Sequence, residues 1–234
     1  MSHQPFAIIT GASQGIGKAV SLGLLQNDYR VVIISRTQLK LNQVLKEAGA
    51  LACNAWTISA DLTDPRQVSR AIEAVTKQEA NIDVLINNLG RGLRRQLVET
   101  SDDEWDYLVK INLSSTFYMS RDVLRHMRKQ GFGQIINIAS RAGRRGEGEF
   151  AAYSALKHGV VGLTRALADS EGKFGIRVNA ICPGLVTTQR MLTNRPNLDY
   201  SKANTPGDVA EAVIFLLSPP AQTMNGQVID LFRK

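Results

Sequence analysis

Two cysteines, three histidines and an aromatic content of 6% are a thin supply, for 234 residues, of the groups that staple, ligate or stack. Cys53 and Cys182 are too few for a disulfide framework, and their separation matches no metal-ligand spacing. Both sit beside apolar residues and read as buried thiols in a reducing compartment. No run approaches the roughly 18 continuous apolar residues of a membrane helix. A strand-like run begins at residue 6, which leaves little room for a targeting segment, so the expectation is a cytoplasmic protein with no membrane partner. The basic stretches carry no interleaved aromatics, which argues against a stacking platform for nucleic acid. Internal repeats and low-complexity tracts are absent too.

What the chain has is apolar residues at 44%, charged residues at 21% and a net charge of +7. That is enough apolar material for one sizeable core, and the basic excess permits an anionic ligand or partner without choosing one.

Strand and helix patterns alternate along the whole sequence. Apolar, β-branched runs at 6–10, 30–35, 55–60, 83–87, 134–140, 177–182 and 226–231 predict seven strands. Helical spacing predicts helices at 15–27, 38–48, 63–75, 102–129, 151–171 and 207–217. Asp64 and Pro65 are placed as N-cap and first residue of the third. Several strands are apolar throughout, so the sheet is parallel and covered on both faces: an α/β, doubly wound Rossmann fold, in a single domain over 1–234. Residues 189–206, polar and rich in Asn and Pro, read as a mobile loop. Such a sheet binds ligands outside the carboxyl ends of its strands, so the loops after 10, 87, 140 and 182 are expected to converge.

The first of these loops is TGASQGIG at 10–17. Glycines 11, 15 and 17 permit a tight turn and let backbone amides approach a pyrophosphate at a helix N-terminus. About 20 residues further on, where an acid would accept from a ribose 2′-hydroxyl, stands Arg36. A guanidinium pairs instead with a 2′-phosphate, which favours NADP(H) over NAD(H). The second constellation is YSALK at 153–157. Spacing of i, i+4 puts Lys157 beside Tyr153, where an ammonium lowers a phenol's pKa and makes it a general acid or base. Ser140 ends the preceding strand, and Asn112 is polar in an apolar setting.

These residues, with Asp61 in ADLTD, NNLG at 87–90 and RVNAICPGLVTT at 177–188, resemble the short-chain dehydrogenase/reductase superfamily, in its order and spacing. Within it, the chain looks most like the branch of 3-oxoacyl-acyl-carrier-protein reductases and carbonyl reductases. The resemblance implies hydride transfer between a nicotinamide and a carbonyl carbon. Tyr153 would donate the proton, Ser140 orient the carbonyl, Lys157 hold the nicotinamide ribose, and Asn112 anchor a relay water. Gly11, Ser13, Gly15, Ile16 and Gly17 would wrap the pyrophosphate side; Arg36 would meet the 2′-phosphate, and Asp61 with Leu62 the adenine. Asn88, Gly90, Pro183, Gly184, Val186 and Thr188 would line the rest of the cofactor.

Three features depart from the family's pattern. Leu89 stands where alanine is usual and could narrow the pocket or shift its loop; 189–206 is a short substrate-covering segment, which implies an open site; and the sequence stops before the usual tail, which leaves a homodimer through the long helices or a homotetramer. Arg91, Arg94 and Arg95 follow one site strand, and Arg141, Arg144 and Arg145 the next. Six arginines at one mouth would attract a carboxylate, a phosphate, a coenzyme A thioester or an acidic acyl carrier protein. Alternatively, Glu147, Glu149 and the acids at 102–104 pair with several of them. The leading expectation is an NADPH-dependent reductase of a ketone, aldehyde or 3-oxoacyl thioester. An NADP-dependent alcohol dehydrogenase and a non-catalytic NADPH-binding sensor or scaffold are the other readings.

Overall fold

In the computed structural model, which describes residues 4–232, seven parallel strands form one sheet in the order β3-β2-β1-β4-β5-β6-β7. They are β1 Phe6–Thr10, β2 Arg30–Ser35, β3 Ala55–Ser59, β4 Val84–Asn87, β5 Gly133–Ile138, β6 Ile176–Pro183 and β7 Val228–Leu231. Side chains alternate between faces, as the twofold period of a strand requires. Phe6 and Ile8 of β1 join one core, with Val68 and Ile72 of α3 (Pro65–Gln78) and Met119 and Val123 of α5 (Ser115–Gln130). Ala7 and Ile9 join the other, with Val20 and Leu24 of α1 (Gly15–Gln26), Leu41 of α2 (Gln38–Ala48) and Val213 of α8 (Pro206–Leu217). Each fully buried aliphatic side chain contributes about 1.5–3 kcal/mol, so the two clusters fix the strand register.

Local chemistry agrees with the expected boundaries at most places. Asp64 accepts a hydrogen bond from the Arg66 amide at 2.8 Å and Pro65 opens α3. Thr205 and Asp208 form a reciprocal capping box at the start of α8. Three expectations need correcting. The helix expected over 102–129 is α4 (Asp102–Val109), then a wider π turn at Lys110–Ser114, then α5. Residues 189–206 are not wholly irregular: Gln189–Asn194 form a short helix, α7, capped by the Thr188 hydroxyl. Cys53 is exposed on the short 3-10 turn after α2; only Cys182 is buried.

The chain leaves β1 toward β2 and β3 on one side, and returns through β4 to β5, β6 and β7 on the other. The loops after β1 and β4 therefore part at the centre of the sheet and open a crevice above its carboxyl edge.

Candidate active site

The turn after β1 is built around a close approach. Gly11 has φ +63°, and a Cβ there would lie 2.9 Å from the Leu89 Cα. The Thr10 hydroxyl accepts from the amides of Asn88 (2.9 Å) and Leu89 (3.2 Å), and the Asn88 amide group donates to the carbonyls of Thr10 (3.0 Å) and Gly11 (3.1 Å). Gly17 packs under this clamp: a Cβ on it would meet the Asn88 Nδ2 at 2.5 Å and the Gly11 oxygen at 2.6 Å. At the start of α1, Gln14 supplies no side-chain cap, so the first-turn amides stay available to an anion.

Above the turn lies an open cleft of about 370 Å³. Of the residues expected in the site, Gly11, Ser13, Gly15, Ile16, Arg36, Leu62, Asn88, Gly90, Tyr153, Lys157 and Thr188 line it. Arg36 lies 4.0 Å from the carboxylate of Asp61, whose other oxygen accepts from the amide (3.0 Å) and hydroxyl (2.7 Å) of Thr63. Lys40, on the first turn of α2, lines the same end. It gave no signal in the sequence, where it is one more cation on an exposed helix face.

The helix α6 (Ala151–Glu171) presents Tyr153 and Lys157 to the cleft. Lys157 is buried, donates to the Ile138 carbonyl at 3.0 Å, and holds its Nζ 5.7 Å from the Tyr153 ring centre. Burial pulls its pKa down to about 8. Burial pushes the Tyr153 hydroxyl up to about 12, against the opposing influence of its hydrogen bond with Ser140. The expected lowering of the phenol by Lys157 is therefore not found: the ammonium is turned to a backbone carbonyl, and desolvation dominates. Ser140 lies two residues beyond the end of β5, and its hydroxyl also accepts from the Ala142 amide at 3.2 Å. The turn that follows packs hard on α6, because a Cβ on Gly143 would stand 2.6 Å from the Lys157 oxygen.

Asn112 sits in the π turn, fully buried. Its carboxamide accepts from the Arg91 amide (2.9 Å) and donates to the carbonyls of Arg91 (3.0 Å) and Leu108 (3.1 Å). A Cβ on Gly90 would lie 2.9 Å from the Asn112 Oδ1 and 3.3 Å from the Lys157 Nζ. One extra residue in a helical turn thus aims an amide at the loop beside the cleft.

Several expected residues lie off the cleft wall. Pro183 pairs with Leu231, Gly184 donates to the Leu231 carbonyl at 2.9 Å and packs on Phe232, and Val186 is buried beside Asn204. Leu89 is half-buried: it lines the cleft and also packs against the core cluster that β1 makes with α3 and α5. The arginine cluster is largely neutralised. Arg94 pairs with Glu149, Arg95 with Glu104 (3.3 Å), Arg141 with Glu147 (2.9 Å) and Arg144 with Asp230 (2.9 Å). Arg145 is exposed and off the wall; only Arg91 of the six lines the cleft. To the lining the structure adds Arg190, from α7, which the loop reading of 189–206 concealed. Among the described residues no group of three or more His, Cys, Asp or Glu could hold a metal ion, and no helix is long and apolar enough to cross a membrane.

The profile of the short chain dehydrogenase family matches residues 5–199. The 3-oxoacyl-acyl-carrier-protein reductase FabG of Buchnera aphidicola is 35% identical, over 96% of this chain and 94% of its own. Among solved structures, ElxO with NADP bound superposes with a TM-score of 0.92 at 31% identity, covering 98% of this chain and 97% of that one. A variant of actinorhodin polyketide ketoreductase with NADPH does so at 0.92 and 32% identity, with the same coverage. The crevice at the sheet's centre, the glycine turn beneath it and these likenesses over nearly the whole chain lead to one conclusion: the chain belongs to the short-chain dehydrogenase family of NAD(P)-dependent oxidoreductases.

Proposed function

We propose that the chain reduces a carbonyl to an alcohol with NADPH, and that its substrate is a 3-oxoacyl thioester or a related ketone. The observation that carries this reading is that Tyr153, hydrogen-bonded to Ser140, and Lys157 line the same cleft as Arg36 and Lys40. The fit to the dinucleotide rests on the glycine cradle and those two cations. Gly11 and Gly15, both with positive φ, bring backbone close to where a pyrophosphate would lie, and the uncapped start of α1 offers its amides. Arg36 and Lys40 suit a 2′-phosphate, which NADP carries and NAD lacks.

When bound, the dinucleotide supplies the hydride. Tyr153, with its pKa near 12, keeps its proton at neutral pH and can give it to the nascent alkoxide oxygen. Ser140, hydrogen-bonded to the same phenol, holds that oxygen in place. Lys157 sits where it can share a hydrogen bond with a ribose and support the phenolate once the proton has left. Asn112 keeps Gly90 and Arg91 fixed at the wall. The same phenol would be the acid in reduction and, as phenolate, the base in alcohol oxidation, and an intact donor set is more than a passive sensor or scaffold requires.

The thioester follows the name of the FabG relative, whose acyl carrier protein would be a partner here too. In this reading the protein is a cytoplasmic homodimer or homotetramer, with Phe117 of α5 exposed beside Leu163 and Leu167 for a second copy. The test is NADPH oxidation across acetoacetyl thioesters, small ketones and aldehydes. Turnover of 3-oxoacyl thioesters supports the reading; no turnover of any carbonyl would overturn it.

A further inference from the structure

Besides Lys157, four cations line the cleft, and the cofactor reading uses only Arg36 and Lys40. Arg36 follows β2 and Arg190 follows β6, four strands apart in the sheet. At about 4.8 Å per strand the ends of those two strands are separated by roughly 19 Å, and Thr188, two residues before Arg190, comes back over the first turn, where a Cβ on Gly15 would meet it at 3.1 Å. Arg91, after β4, lines the same cleft as Arg190. Burial first, and then the charge of Arg91, pull the pKa of Arg190 down. Neither makes an ion pair among the described residues, although four arginines around the same mouth are each matched with an acid. The backbone of Arg91 is pinned on both sides by Asn112, and Arg190 projects from the first turn of α7, which Thr188 caps. Two like charges thus line one cleft together with Tyr153 and Lys157.

We propose that Arg91 and Arg190 together bind an anionic oxyacid group of the substrate itself, a carboxylate or a phosphate monoester, and so select carbonyl compounds that carry one. Two planar forks can give four or more charge-assisted hydrogen bonds to such a group, and the repulsion between them is relieved when it binds. This specificity rests on the reductase reading and deepens it: the acid group anchors the substrate while its carbonyl lies against Tyr153.

The experiment pairs each anionic substrate with a neutral twin: oxo acids of increasing length with their methyl esters, and hydroxyacetone phosphate with hydroxyacetone. NADPH oxidation is followed for the unaltered chain and for R91Q and R190Q. The proposal expects kcat/KM for the anion to exceed that of its twin by about tenfold or more, and each substitution to bring that ratio toward one. A preference confined to carboxylates or to phosphates identifies which oxyacid is meant. An unaltered chain that reduces esters and acids equally well would overturn the proposal and leave the reductase reading standing. So would a preference that survives both substitutions, or one in which KM for NADPH rises as much as KM for the anion, since the pair would then serve the cofactor. If no carbonyl is reduced, the reductase reading fails, and calorimetric titration of the chain with the oxo acids decides the anion site separately. Binding that weakens about tenfold in R91Q and R190Q supports the site; binding that is absent or unchanged overturns it.

Discussion

Asn112 grips the backbone of Arg91 at both its amide and its carbonyl, 21 residues away in sequence. The grip is made by a side chain with no solvent exposure, so nothing replaces it when it is lost. Replacing Asn112 by Ala takes a partner from the Arg91 amide and from the carbonyls of Arg91 and Leu108, at about 1–3 kcal/mol for each group that stays buried and unsatisfied. The expected outcome is a urea midpoint lowered by that order, with turnover reduced more than cofactor affinity. An unchanged midpoint would mean that the loop has another anchor.

Tyr153→Phe removes the hydroxyl and keeps the ring that Lys157 faces. Turnover should fall by at least about a hundredfold, the usual contribution of a positioned general acid, while the NADPH dissociation constant stays within a factor of a few. Retained turnover would remove Tyr153 from the chemistry.

Arg36→Asp tests the distal cations. It places a carboxylate where a 2′-phosphate would lie, next to the existing Asp61. Affinity for NADPH should fall by ten- to a hundredfold, about 1.4–3 kcal/mol, and that for NADH much less. Lys40→Glu should act in the same direction. If neither substitution changes the NADPH-to-NADH ratio, selectivity lies elsewhere.

Gly17→Ala is a test of packing under the cleft. A Cβ there meets the Asn88 side chain and the Gly11 carbonyl well inside contact distance. Overpacking of this kind costs about 1–3 kcal/mol, and here the yielding group is the clamp that shapes the cofactor turn. Both the melting temperature and the NADPH affinity should drop, whereas Gly92→Ala, whose Cβ meets nothing within 4 Å, should leave the melting temperature within a degree or two.

The buried lysine gives a pH signature. Lys157 titrates near 10.5 in an unfolded chain and about 8 when folded, so between these values the unfolded chain holds a proton that the folded one has released. Stability therefore rises with pH across that window. Tyr153 and Cys182 are shifted the other way, upward, and their contribution falls above about pH 9. Urea unfolding at pH 7.5 and 9 should show the chain gaining about 1 kcal/mol relative to Lys157→Met, which lacks the titrating group. An equal slope in both proteins would place the lysine's proton elsewhere.

The legible parts of the site were those whose spacing is set by one element. Tyr153 and Lys157 stand four apart on one helix, and the glycines of 11–17 share one turn, so local geometry alone places them. Partners brought together by the fold were hidden: Asp230 lies 86 residues from Arg144, and no pattern in the sequence joins them. Arg190 was missed because a short helix of mixed polarity looks like a loop, and Lys40 because an exposed helical lysine is ordinary. The pKa of Tyr153 was misjudged for a different reason. Spacing reports that two groups are near, but the outcome turned on which carbonyl the ammonium chose and how much water the phenol lost.

The widened turn at 110–114 has one more consequence. A surplus residue in a helix advances everything after it by about 100°. The face of α5 that carries Met119, Val123 and Met127 into the core is thus phased by the same insertion that points Asn112 at Arg91. Trimming that residue would unseat both at once, so the hydrophobic interior guards the geometry of the cleft: a chain cannot lose the wide turn and still close its core.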